Sequence, residues 1–441
     1  MGPNEHDEEG PELTREAPES TTDTPERDIG KLTELRRRLT SIGPGLLLVA
    51  AFVGPGTVTT ASVAGATYGY ALLWAVVFSV VGTIVLQEMS ARLGVVTREG
   101  LGEAIRTAFR HPVIKVIVVV LVISSVGIGS SAFQTGNLVG ASLGLESLTG
   151  IPVYVWAIAV GLGAAALLGT GAYKVLERVL MVLVGAMALV FLITAIMIRP
   201  SGEGIFQGVF TPSIPTGSII TIMALIGTTI VLPNLFLHAS AVKEKWPSST
   251  PVRRALSEAR FDSVLSISIG GLIALAIVIT AAGAFFAAGI EITDAGQMAT
   301  QLEPLLGVAA GQFFAAGLFA AGLTSTVANP LASAYAICGI LRWKADLRNA
   351  RFKAVWAIIM VIGTVLAATG TSPVEVIVFA QAVNGVLLPL LAAFLLYVMN
   401  RRDLLGEFRN RTLSNVIGSV IVLVITGLGI YAILGAFGVI G

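Results

Sequence analysis

Eleven separate stretches of this chain are apolar for about the thickness of a bilayer, and that repetition limits the fold more than any motif does. A spanning helix needs about 20 predominantly apolar residues. The candidates are residues 43–69, 71–96, 113–142, 152–173, 177–199, 214–241, 261–290, 308–341, 353–370, 373–400 and 413–437. The composition, 55% hydrophobic and 12% charged, is far from the ordinary globular mix. Lipid offers the backbone no hydrogen-bonding partner, so each stretch is expected as a helix that satisfies itself. The sequence therefore describes an all-α polytopic membrane protein, with residues 43–437 as one eleven-helix transmembrane domain.

Lys and Arg collect in cytoplasmic loops, which makes their positions a test of topology. If the N-terminus is cytoplasmic, the N-terminal arm and every second loop face inward. Those segments carry 26 of the 28 basic residues, all but Arg92 and Arg199. Arg98, Arg106, Arg110 and Lys115 fall in one such loop, Lys243 to Arg260 in another, Arg342 to Lys353 and Arg401 to Arg411 in the last two. The opposite loops lean acidic, with Glu146, Glu203, Glu291, Asp294 and Glu303. A multi-pass protein of the cell membrane is expected, N-terminus inside and C-terminus outside.

Residues 1–42 differ from the rest. The first 30 hold ten of the 27 acids among Pro, Thr and Ser, too polar to bury a core, and are expected as a disordered acidic tail. The pattern is not that of a cleavable signal peptide. The following KLTELRRRLTSI is a basic juxtamembrane segment, a charge cluster that orients the first span or lies along the inner leaflet. The single cysteine, Cys338, excludes an internal disulfide and a multi-thiolate site.

Enzyme signatures are missing. There is no GxxxxGK(S/T) phosphate loop, no His-Glu-x-x-His and no GxSxG elbow, and the histidines are His6, His111 and His238 alone. No cofactor is expected, and no basic domain points to nucleic acid. Within the second span, Glu88 and Arg92 are one turn apart and are expected to pair on one face as a structural contact.

Two spans are interrupted. VGPGTVTT, from residue 53, sets Pro55 between Gly54 and Gly56, and LIGTTIVLPNLFLHAS, residues 225–240, sets Pro233 before Asn234. Proline removes a backbone donor and glycine permits unusual dihedrals, so each helix should stop and restart at mid-depth. Such a break is tolerated only against protein or a cavity. Broken helices one and six, five spans apart, are the mark of a LeuT-like inverted five-plus-five repeat, here with an eleventh helix, whose breaks meet at a central site. Helix ends there offer carbonyls to cations and amides to anions. Carbonyls freed at residues 53–56 and 228–231, with the hydroxyls of Thr57, Thr228 and Thr229, are candidate ligands.

Several strings resemble one family. GPGT, GATYGYALLW and LQEMSARLGVVT in the first two spans are similar to the natural resistance-associated macrophage protein (Nramp) divalent-metal transporters. So are GTGAYKVLERVLMVLVG, LEPLLGVAAGQFFAAGLFAAGLTST and NLFLH further along, and the resemblance runs from about residue 40 to 437. It implies that an Asp and an Asn in the first broken helix and a Met in the sixth bind the metal. This chain has Gly54, Thr57 and Val231 at those positions. Leu232 and Pro233 stand where the family has Pro and His, while Asn234 and His238 remain. On the third span, Gln134 and Asn137 occupy places where the resemblance implies acids of a proton route. His238 is left as the candidate for proton coupling, or as a histidine satisfied by buried neighbours. Gln381 and Asn384 on the tenth span, and Thr324, Ser325 and Thr326 on the eighth, match the family's polar lining, although membrane Ser and Thr also bond their own backbone.

A dehydrated divalent cation at mid-depth needs anionic or several hard oxygen ligands, and a thioether helps select softer metals. The substitutions neutralise and enlarge the site. The favoured expectation is a secondary transporter that acts on a changed substrate, a small solute or ion, through Gly54, Thr57, Thr228, Val231, Asn234, Gln381 and Asn384. A second keeps divalent-metal transport (Mn, Fe or Mg) through carbonyls and hydroxyls. A third is a non-transporting sensor or scaffold.

Overall fold

The structure, a computed structural model, describes residues 54–170, 174–370 and 372–439. The expected acidic tail and basic segment (1–42) and the first half of the first span lie outside the described residues. Those described form α1 (Pro55–Tyr68), α2 (Leu73–Thr97), α3 (Leu101–Ala108), α4 (Pro112–Thr149), α5 (Val153–Thr170), α6 (Lys174–Met197) and α7 (Gly202–Phe210). They continue as α8 (Ile219–Thr229), α9 (Leu232–Lys245), α10 (Val252–Phe285), α11 (Ala310–Leu341), α12 (Ala350–Ala367), α13 (Pro373–Met399) and α14 (Thr412–Ala436). Ten spans among the described residues are long and apolar enough to cross a membrane, α8 and α9 together making one of them. With α1 as the described part of the first span, the architecture is the all-helical LeuT-like repeat.

Both α1 and α9 carry a proline in the first turn. Pro55 opens α1 behind Gly54, and Pro233 sits in the first turn of α9. The first turn leaves its N–H groups without intrahelical partners, so a missing donor costs little there. This corrects the expected place of the sixth-span interruption. It falls not at Pro233–Asn234 but at Ile230 (φ −99°, ψ 79°) and Val231 (φ −79°, ψ 119°). The proline starts the second half and does not end the first.

Close helix approach holds the interrupted span. A Cβ at Gly227 of α8 would collide with the Gln381 carbonyl and lie 2.5 Å from the Gly385 nitrogen on α13. Only glycine lets these two backbones touch, as small residues do elsewhere in membrane bundles.

The basic loops gather at one end. Arg110 pairs with Asp403 at 3.1 Å and Arg253 with Glu407 at 3.6 Å. Arg106 donates to the Ile340 carbonyl at 3.0 Å, Arg342 to the Thr107 hydroxyl at 2.9 Å, and Arg98 to the Trp246 carbonyl. Arg401 donates to both carboxylate oxygens of Asp403, at 2.9 and 2.7 Å. Those bonds hold the Asp403 carboxyl down from 3.8 to about 2. Its ion pair therefore weakens only as pH falls toward 2, and is constant at neutral pH. At the other end, Trp74 donates to the Ser213 carbonyl at 2.9 Å. One expectation changes: residues 252–260, taken as loop, are the first turns of α10, so Arg253, Arg254 and Arg260 project from a helix.

The expected Glu88–Arg92 pair is present at 3.0 Å, and Arg92 is buried. Arg92 also donates to Asn410 Oδ1 at 2.7 Å and to the Phe408 carbonyl at 3.2 Å, while the half-exposed Arg260 meets Glu88 at 2.8 Å. One guanidinium thus ties α2 to the loop before α14. Removing a buried partner leaves charge and carbonyls uncompensated. Arg92→Met should cost on the order of 2–3 kcal/mol, and Arg260→Met under about 1 kcal/mol. Reversible unfolding in detergent checks the order, and equal losses for the two variants contradict it.

Candidate functional site

Where α1 begins and α8 ends, two hydroxyls meet: Thr57 Oγ1 and Thr228 Oγ1 are 3.0 Å apart and buried. Two turns of α13 supply the next layer. Asn384 donates from Nδ2 to the Gly227 carbonyl, and Gln381 lies three residues earlier on the same face. Both are fully buried. The Gln381 carboxamide is wedged between two glycines: a Cβ at Gly56 would lie 2.5 Å from its Cδ, and one at Gly136 of α4 2.9 Å from its Nε2. Neither carboxamide atom of Gln381 has a hydrogen-bond partner, and neither does Asn384 Oδ1. An unpartnered buried amide costs about 1–3 kcal/mol.

Thr57, Thr228, Gln381 and Asn384 are therefore brought together from α1, α8 and α13. Gly54 is the buried N-cap of α1, and its carbonyl already accepts from Val58 at 3.1 Å. Val231, also buried, is the N-cap of α9, with the half-buried Asn234 three residues on. Neither side chain at these caps bonds an exposed amide, so α1 and α9 present their positive ends, and α8 its negative end, without a charged residue between.

The freed carbonyls are less available than expected. The Gly227 carbonyl is held by Asn384 and that of Val231 by Asn234 N at 3.1 Å, while Thr83 Oγ1 of α2, which donates to the Ser79 carbonyl at 2.7 Å, lies 3.4 Å from the Thr229 carbonyl. Thr229 turns its hydroxyl back to the Leu225 carbonyl at 2.8 Å. The Gly227 and Val231 carbonyls each keep one unshared acceptor site, but neither is bare.

His238 lies apart. It is seven residues along α9 from Val231, about 10 Å by helix rise, with Nε2 3.1 Å from Ser263 Oγ of α10. Gln134 does not face the cluster either. Its Nε2 donates to the Thr326 carbonyl at 3.0 Å and approaches Met360 Sδ at 3.3 Å, while its Oε1 accepts from Asn329 at 3.1 Å. Asn329 also reaches the Ser130 carbonyl at 3.0 Å, and Ser333 bonds Ser130 Oγ at 2.7 Å. A wholly neutral network thus joins α4, α11 and α12. Asn137 is buried with both amide atoms unpartnered. On α11, Thr324 bonds its own Ala320 carbonyl at 2.8 Å, and Ser325 and Thr326 are buried. Asn329 and Thr83 are not among the residues the sequence marks for the site. Asn329 was findable as an amide one turn beyond Thr326 in an otherwise apolar span. Among the described residues no group of three His, Cys, Asp or Glu is placed to hold a metal ion.

Comparison with known proteins gives one family. The model of the natural resistance-associated macrophage protein-like family matches residues 45–435. A divalent metal cation transporter, MntH, of Yersinia pestis (strain Pestoides F) is 29% identical over 416 residues, covering 93% of this chain and 98% of that one. The fold resembles a manganese transporter of Eremococcus coleocola, TM-score 0.74 at 21% identity, over 96% of this chain and 89% of that one. It also resembles Mhp1, a nucleobase-cation-symport-1 family transporter, TM-score 0.55 at 16% identity, over 91% and 94% of the two chains.

The two carboxamides of α13 should respond differently to removal. Asn384→Leu strands the buried Gly227 carbonyl and should cost about 1–3 kcal/mol. Gln381→Met removes a carboxamide that has no partner, and should cost less or stabilise the ligand-free protein. Thermal unfolding of both variants checks the contrast; a loss for Gln381→Met as large as for Asn384→Leu overturns it.

Proposed function

The chain belongs to the Nramp family, and from that premise we propose that it is a secondary active transporter of the cell membrane whose central site is not built for tight binding of manganese or iron. The observation that carries this is the chemistry at the break: the side chains that meet there are hydroxyls and carboxamides. A dehydrated divalent cation would be held by neutral oxygens alone, against a desolvation cost of many kcal/mol. A small polar solute, or an ion that keeps part of its water, is the better match. Because Lys and Arg collect on the cytoplasmic side, the gathered basic end is read as cytoplasmic and the C-terminus as outside.

A second reading keeps a divalent metal cation as substrate, the substrate that the Yersinia relative's name states. Gln381 Oε1 and Asn384 Oδ1 favour it, because both are buried acceptors without a donor and lie beside the Thr57–Thr228 pair. In that reading the cation retains several waters and binds weakly, as magnesium often does. His238, about 10 Å along α9 from the break, is then the candidate for a coupled proton.

Calorimetry on the purified protein should give no saturable high-affinity heat with manganese, and a tight one-site isotherm overturns the proposal. Gly54→Asp with Thr57→Asn and Val231→Met should create manganese binding where the wild type has none. In proteoliposomes, manganese and magnesium uptake with and without a pH gradient separates the two readings. Uptake above empty liposomes supports the second, and no uptake of either supports the first.

A further inference from the structure

Between α10 and α11 the chain does not cross directly. Residues 286–309 turn back over the end of the bundle opposite the gathered basic loops, and a short helix within them, Ala295–Thr300, is capped by Asp294, whose Oδ1 accepts from Gln297 N at 2.9 Å. Ala295, Met298, Ala299 and Leu302 are buried, an apolar stripe at helical spacing that docks the segment. The short helix packs against α4 and α11. In the middle of this greasy contact lies a carboxamide.

Gln301 is buried and bonded on every side. Its Nε2 donates to Ser62 Oγ of α1 at 2.9 Å and to the Met298 carbonyl at 2.7 Å, and its Oε1 accepts from Thr280 Oγ1 of α10 at 3.1 Å. Leucine at this position would bury itself against any apolar neighbour. A buried carboxamide is tolerated only where its partners are in place, so it accepts one docking and opposes the others. The segment therefore touches α4 and α11 through its helix and α1 and α10 through Gln301. Those are two separately packed pairs, since α4 meets α11 and α1 meets α10 far more extensively than the pairs meet each other.

We propose that residues 286–309 form a lid over this end of the bundle and that Gln301 is its positioning residue, latching the lid to the half-helix α1 that carries Gly54 and Thr57. Ser62 is five residues beyond Thr57, about 8 Å by helix rise. Movement of α1 at the break is thereby felt at the lid, and opening from this side requires the Ser62 and Thr280 bonds to part together. The proposal takes its meaning from the transport reading, but its test needs no substrate, so each can fail without the other.

Cys338 is the chain's one cysteine, so Cys338→Ala gives a clean background for a reporter. Thr59→Cys places a thiol on α1 one turn deeper than Ser62 and on the same face. In sealed proteoliposomes of the full chain, a membrane-impermeant maleimide offered from the lid side should label it slowly. Adding Gln301→Ala should raise that rate about tenfold, the factor of about one net hydrogen bond, and Thr280→Val should raise it less. Labelling from the basic end should not change. An unchanged rate in both variants overturns the latch, as does an equal rise from both ends, which reports general loosening. Should Gln301→Ala fail to fold, Thr280→Val decides alone: a faster lid-side rate supports the latch and an unchanged one refutes it.

Discussion

In a bilayer, a helix that stops halfway exposes backbone groups to a medium that cannot bond them, and much of this bundle is arranged to answer that one demand. The gap at Ile230 and Val231 would leave the last carbonyls of α8 orphaned. Asn384 of α13 takes the Gly227 carbonyl, and the Thr83 hydroxyl of α2 approaches that of Thr229 at 3.4 Å. On the other side of the gap the chain restarts with a proline in the first turn, where one amide fewer has to be satisfied. Asn384, which looks like a site ligand in the sequence, thus has a backbone duty as well.

That double use bears on what the site can hold. Asn384 has one atom committed to α8 and one uncommitted, while both carboxamide atoms of Gln381 are uncommitted. Gln381 can therefore turn donor or acceptor toward a solute without loosening the fold, and Asn384 can offer only its oxygen. The helix ends add fixed partial charges, positive from α1 and α9 and negative from α8. Such a field is mixed in sign, and it favours a ligand with its own dipole over a bare charge.

The sequence made the spans, their number and the sorting of basic residues legible because those depend on length and composition within one segment. It also pointed to the interruption of the sixth span, since proline and glycine act locally. The sixth break was misplaced by two to three residues because proline disrupts a helix interior yet suits a helix start, and sequence alone does not say which side of the gap it serves. The start of α10 was missed because its first turns, with Arg253, Arg254 and Arg260, stand clear of the apolar run. What no local pattern could supply is pairing across the bundle. Thr57 and Thr228 are 171 residues apart and Gln134 and Asn329 are 195 apart, and their meeting depends on the rotation and depth of each helix. Gln301 escaped for a related reason: in a short loop between spans, a buried glutamine looks like any exposed one.

The distribution of charge through the depth of the bundle follows the cost of burying it. Ion pairs occur toward the basic end, where Glu88–Arg92 and Lys245–Asp262 are near the loops and water. Around the breaks, and through the network of Gln134, Asn329, Ser130 and Ser333, the polar groups are neutral. A neutral network can match a charged one bond for bond while avoiding a desolvation penalty of several kcal/mol per ion. It gives up the ability to compensate an arriving charge. A cation entering this centre would be the largest charge in its surroundings, with hydroxyls and carboxamides beside it. On the proposed reading it would be held only while it kept part of its own water, the condition under which neutral oxygens can serve as its ligands.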